Sequence, residues 1–207
     1  MGKPRLLDLF CGQGGAAYGY HEAGFDVTGV DIKPQRHYPF RFIHADAMTF
    51  PLEGFDLIHA SPPCQDHSVM RGLHGPNGTG WMLEATLQRL KTSGVDYVVE
   101  NVPGAVFDHN LMLCGSTFGL LVRRHRLFAT SFAVPQPECR HDQQGRVMTV
   151  VGNGGGMMTE KWWKATPQEA MIGLGVWWGT MAGLSQMIPP TYTRYIGRHY
   201  AINAAAK

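Results

Sequence analysis

The chain has 207 residues, 44% of them hydrophobic and 16% charged, and its 18 Lys and Arg against 16 Asp and Glu leave a formal charge of +2. This composition excludes wholesale disorder, and the length allows one domain with a sizeable core plus a small insertion. No apolar run approaches a membrane span, the opening MGKPRLLDLF lacks a secretory or myristoylation pattern, and the near-neutral charge neither demands nor forbids a nucleic-acid partner.

Short apolar runs alternate with helix-like stretches along the chain. RLLDLF precedes the helical AAYGYHEAG, DVTGV and FRFIHA follow, and FDLIHA leads to a helical WMLEATLQRLKTSG before DYVVE and RLFATSF. That rhythm predicts βαβ units and a mostly parallel sheet with helices on its faces. It breaks near Ser131. Residues 131–165 hold VPQPECRHDQQGR and VVGNGGGMM, rich in Pro, Gln and Gly, and read as a loop-rich insertion. Order returns at ATPQEAMIGL, where Thr166, Pro167 and Glu169 spell a helix start with a capping box, and TYTRYIGRHYAINAAAK is a final helical stretch.

Several residues stand where chemistry is usually placed. Gly12, Gly14 and Gly15 follow the first strand, where they allow a sharp turn and close approach of backbone to a ligand at a helix N-terminus. The turn suits a nucleotide-like cofactor, NAD or S-adenosylmethionine; the plainer reading is a tight strand-to-helix connection. Asp8, Asp31 and Asp46 are expected just past strand ends, where an open α/β sheet binds its ligands. Cys64, in ASPPCQDHS, follows the fourth strand on a proline-stiffened loop, which suits a nucleophile better than the small buried hydrophobe a lone cysteine usually is. Glu100 ends another strand, as a turn carboxylate or as an acid of raised pKa. Arg123, Arg124 and Arg126 form either a solvated basic turn or a clamp for phosphate or a base edge. The four cysteines, Cys11, Cys64, Cys114 and Cys139, include no CxxC pair, so neither a disulfide framework nor a metal site is expected.

In this order the stretches resemble the DNA (cytosine-5) methyltransferase family, in a compact phage-like or bacterial form. DLFCGQGGAAYGYHEAGF looks like its cofactor loop, SPPCQ its nucleophile loop, ENV its acid, RRHRLF its Arg-x-Arg element, TPQEA the helix after its recognition region, and IPPTYTRYIG its closing segment. The resemblance implies a Rossmann-like S-adenosylmethionine-dependent methyltransferase fold. It further implies a cofactor-binding and catalytic domain at 1–130, a target-recognition segment at 131–165, and a C-terminal segment at 166–207 that completes the catalytic domain. Cys64 would add as a thiolate to carbon 6 of a flipped cytosine, Glu100 would protonate ring nitrogen 3, and Arg124 or Arg126 would hydrogen-bond the base oxygen.

Cofactor contacts are expected from Asp8, Phe10, Gly12, Gly14, Gly15, Asp31, Ile32, Asp46, Ala47, Pro62 and Gln186, and DNA contacts from Gln65, Ser68, Arg123, Arg140 and Arg146. His141, Gln143 and Gln144 are further candidate base readers. Val122 stands where the family pattern has glutamine, Gln186 where it has asparagine, and Asp31 where glutamate is more frequent. The expected partner is duplex DNA, for a monomer in the cytoplasm of a bacterial host cell. Two rivals are a NAD-dependent oxidoreductase, which leaves SPPCQ and ENV without a role, and a DNA-binding module that has lost turnover.

Overall fold

The computed structural model describes residues 2–63, 80–150 and 161–205. Strands β1 (Arg5–Leu9), β2 (Asp26–Asp31), β3 (Arg41–His44), β4 (Leu57–Ala60), β5 (Asp96–Asn101), β6 (Leu111–Leu113) and β7 (Arg126–Thr130) form one sheet in the order β3-β2-β1-β4-β5-β7-β6. The first five are mutually parallel, and β7 runs antiparallel to both of its neighbours.

The apolar runs are near-continuous because helices cover both faces of the sheet. Side chains alternate along each strand with period two. Leu6, Leu57 and Val98 therefore meet Tyr20 and Ala17 of α1 (Gly15–Glu22) and Tyr192 and Ile196 of α5 (Pro190–Ala205). Leu7, Leu9, Ile58 and Val99 point the other way, onto Leu83, Leu87 and Leu90 of α2 (Gly80–Thr92). The Thr193 hydroxyl of α5 donates to the Ala16 carbonyl of α1 at 2.8 Å, which fixes how the two helices cross. The order of the strands reverses between β1 and β4, and at such a switch point the carboxyl ends of the strands open a crevice for a ligand.

Thr166 caps α3 (Pro167–Leu174) as its sequence predicts: the hydroxyl accepts from Glu169 N at 3.3 Å and the Glu169 carboxylate accepts from Thr166 N at 2.8 Å. The 131–165 segment departs from the prediction of loops. It carries a parallel pair, β8 (Val147–Thr149) with β9 (Trp162–Lys164), and sends Met148, Val150 and Ala165 into a third apolar cluster with Val122, Ala170, Leu174, Leu184 and Met187. Strands of three residues are too short to show an alternation, so the sequence carries no sign of them. Leu184 and Met187 belong to a further short helix that escaped the sequence reading, α4 (Met181–Gln186), and to the turn that ends it. Among the described residues, no helix is long and apolar enough to cross a membrane.

Candidate active site

The glycine loop after β1 is built from backbone conformations that few side chains tolerate. After β1 the chain passes through positive φ at Phe10 (56°), Gly12 (49°) and Gly14 (86°) before α1 begins. A Cβ on Gly14 would stand 2.8 Å from Pro39, and one on Gly15 only 2.2 Å from Met187, whereas one at Gly12 would meet nothing within 4 Å. The loop is thus packed from behind and open at Gly12. Gly12 N–H donates to Asp31 Oδ2 at 3.0 Å, and Asp31 Oδ1 accepts from Lys33 N at 2.8 Å.

Beside Asp31 the apolar Ile32 is 65% exposed. Asp46 follows β3 at the same edge, with Oδ1 accepting from Met48 N at 2.9 Å; the buried Ala47 gives its carbonyl to Arg89. This open backbone, flanked by carboxylates and an exposed apolar side chain, fits the ribose hydroxyls and adenine of S-adenosylmethionine. Gln186 is exposed at the end of α4, next to the Met187 that backs Gly15.

Asp8 is placed differently from the expectation. It lies within β1 opposite Gly29 and His59 and is buried, not past the strand end in the crevice. Burial raises its carboxyl to about 8, against a 3.4 Å hydrogen bond from Tyr38 and with help from the charge of Asp31. Gln13, which the sequence reading passed over, holds the loop in place. Its amide exchanges two 3.0 Å hydrogen bonds with Thr180 and its carbonyl accepts from Trp178 Nε1 at 2.6 Å. Partners that distant in sequence leave no local signal.

Glu100 ends up inside, near the end of β5, and pairs with Arg126 Nε of the adjacent β7 at 2.9 Å. Burial pushes its carboxyl above the usual range, opposed by Arg126, by a hydrogen bond with Ser61 and by Arg124. Ser61 Oγ lies 3.0 Å from His59 Nε2, and His59 Nδ1 lies 3.1 Å from the Tyr20 hydroxyl. Burial lowers His59 to about 3, so the ring is neutral and this buried chain of polar groups adds no charge beside the acid. Asn101, the next residue, donates to the Pro62 carbonyl at 3.2 Å and so positions the chain just before Cys64. Cys64, Gln65 and Ser68 lie outside the described residues.

The paired arginines divide their labour. Arg126 faces Glu100, whereas the Arg124 guanidinium donates to the carbonyls of Leu184, Met187 and Val150. Desolvation, with the charge of Arg126 second, lowers Arg124 to about 9, which leaves it cationic at neutral pH. Committed to three carbonyls, Arg124 is a brace rather than a group free to meet a base.

Arg123 stacks over Trp162 at 5.2 Å and donates to Gln144 Oε1 at 3.0 Å. Gln144, expected as a base reader, instead points inward and donates to the carbonyls of Leu120 and Val122 at 2.9 and 3.2 Å. Val122 itself is buried in the third cluster. Gln143, Arg140 and Arg146 are exposed, with the Arg146 guanidinium 5.1 Å over the Trp163 ring.

A parallel sheet with reversed β7, a glycine loop after β1, and acidic residues at the end of β2 and just past β3 define the fold of S-adenosylmethionine-dependent methyltransferases. Within that class the chain belongs to the C-5 cytosine-specific DNA methylase family, which residues 4–111, more than half of the chain, match. The type II methyltransferase M.AquIA of Picosynechococcus sp. is 26% identical over 170 residues, covering 65% of this chain and 68% of that protein. The S. pombe Dnmt2 methyltransferase has the same fold, with a TM-score of 0.60 at 13% identity over 99% of each chain. A DNA modification methyltransferase encoded within an E. coli prophage overlaps 61% of this chain at 21% identity and a TM-score of 0.49. The present chain spans 45% of that prophage protein.

Proposed function

We infer that this chain transfers a methyl group from S-adenosylmethionine to carbon 5 of cytosine in duplex DNA, through a transient bond between Cys64 and carbon 6 of a flipped base. The observation that carries this reading is the buried Glu100–Arg126 pair, one residue from the Asn101 that holds the entrance to the Cys64 loop. Cytosine is a poor nucleophile at carbon 5. Thiolate addition at carbon 6 makes that carbon enamine-like, and a proton on ring nitrogen 3 offsets the charge that develops.

Glu100, its carboxyl raised by burial, supplies that proton. Arg126 holds the Glu100 carboxyl at the strand edge and is the arginine suited to the base oxygen, since Arg124 is tied to carbonyls. The glycine loop with Asp31, Ile32 and Asp46 would hold S-adenosylmethionine, which when bound supplies the methyl group as an electrophile. Turning the base out of the stack costs about a few kcal/mol.

Incubation with randomised duplex DNA and S-adenosylmethionine is expected to yield 5-methylcytosine by nucleoside mass spectrometry. Binding of duplex with no methylated nucleoside would leave only a DNA-binding module.

The recognition segment offers few side chains that could enter the major groove, where a bidentate contact discriminates by about 1–3 kcal/mol. Bisulfite sequencing should therefore reveal a short target of about two to four base pairs. Replacing Arg140 and Arg146 by alanine should relax or abolish target choice while cofactor binding persists. A defined site of about six pairs or more, or unchanged choice in the double variant, would sink this assignment of the readers.

A further inference from the structure

Chains below roughly 40 residues that fold alone usually need disulfides or a metal, and the recognition segment is of that size. Its second half is fastened by the apolar residues that meet α3 and α4. Its first half contains Cys139 and His141. These meet Cys114, which directly follows β6, and His125, which directly precedes β7. The Cys114 Sγ lies 3.3 Å from His141 Nε2, the Cys139 Sγ lies 3.6 Å from His125 Nε2, and all four ligand atoms fall within 4.8 Å of one another.

A tetrahedral zinc ion, with Zn–S near 2.3 Å and Zn–N near 2.0–2.1 Å, places sulfur and nitrogen ligands about 3.5 Å apart. The two sulfur–nitrogen separations lie on either side of that value. Both cysteines are free, and both imidazoles present the same nitrogen, Nε2, to the cluster. The Cys114 sulfur also lies 3.1 Å from the Ser116 hydroxyl, which can donate to it, and 3.0 Å from the Arg123 carbonyl oxygen. Two thiol–imidazole hydrogen bonds would satisfy two separate pairs; they give no reason for all four groups to converge on one point.

We propose that Cys114, His125, Cys139 and His141 form a closed zinc site that fastens the recognition segment to the antiparallel edge of the catalytic sheet. Two thiolates and two imidazoles suit zinc, and four protein ligands leave no open position, so the ion holds structure and does not react. The missing CxxC pair, which predicts no metal, misleads because the fold brings together residues as much as 27 positions apart. His141, expected as a base reader, is turned toward Cys114 instead. The site does not depend on the methylation chemistry. It does set the position of that chemistry, because His125 stands between Arg124 and Arg126, and Arg140 stands between the other two ligands.

The full chain, purified under reductant without chelator, should carry about one zinc per molecule by elemental mass spectrometry. Cobalt exchanged into it should give the intense visible bands of a tetrahedral ion together with a sulfur-to-cobalt charge-transfer band. Cys139→Ser and His141→Ala should each weaken zinc binding, measured in zinc-buffered solution, by more than the roughly 10-fold that even an outer-shell partner contributes. His141 is exposed, so its variant tests the ligand with the fold intact. A folded, metal-free protein that gives an octahedral cobalt spectrum, variants that keep full zinc affinity, or a Cys114–Cys139 disulfide under these conditions would each overturn the proposal.

Discussion

Glu100→Gln is expected to slow methyl transfer by more than about a hundredfold, the lower end of what a positioned general acid contributes. Glutamine keeps the shape of the side chain, its amide oxygen can still accept from Arg126 Nε, and its NH2 can reach Ser61, so the strand edge should survive. What disappears is the transferable proton. Single-turnover rates with a saturating duplex would check this, and the dissociation constant for DNA should change far less than the rate. Because burial raises the Glu100 carboxyl, the wild-type rate should fall as rising pH strips that proton, and the variant should lose this alkaline limb. A near-normal rate in the variant would reduce Glu100 to the partner of a structural ion pair.

Cys64→Ser should remove methyl transfer altogether while the affinity for S-adenosylmethionine stays nearly unchanged. The hydroxyl is a far weaker nucleophile than a thiolate, and no base is invoked that would activate it. Gly12, Asp31 and Asp46, proposed to hold the cofactor, stand on the loop after β1, at the end of β2 and just past β3, and are at least 18 positions away from residue 64 in sequence. A duplex with 5-fluorocytosine should trap the wild-type enzyme as a denaturation-resistant adduct, because fluorine cannot leave as a proton does, and the serine variant should form none. Turnover by the serine variant, or methylation without any trapped adduct, would rule out covalent attachment at residue 64.

The parallel half of the fold was legible because its strands are buried on both faces, which makes RLLDLF, DVTGV, FDLIHA and DYVVE stand out as apolar runs. Thr166 was legible because a capping box is local chemistry. Contacts between distant residues were not. Nothing in VRRHRLF says that Arg126 reaches Glu100 while Arg124 reaches three carbonyls, since that division depends on which strand β7 joins and where α4 ends. Gln144 looks like a groove reader in a polar stretch, yet Leu120 and Val122 need its amide. Asp8 looks like a crevice acid because it is polar near a strand end, but β1 continues to Leu9 and keeps it inside. The sequence resemblance named candidate reacting groups; the fold shows what packs against Glu100, Arg124 and Arg126.

Arg124, just before the strand that carries Arg126, ties Val150, which directly follows β8, to Leu184 of α4 and to Met187 in the turn after it. Anyone who transplants a relative's counterpart of residues 131–165 into this scaffold would re-place one of its three carbonyl acceptors and leave the other two native. A seam cut at 131 and 165 therefore crosses the brace, and the imported chain must set its own main-chain carbonyl where that of Val150 meets Arg124. A hybrid whose seam spares Val150, or which imports the donor protein's counterparts of Arg124 and of residues 184–187 together, keeps the brace whole. Grafting residues 131–165 is thus a matter of exchanging matched sets, not of swapping one loop.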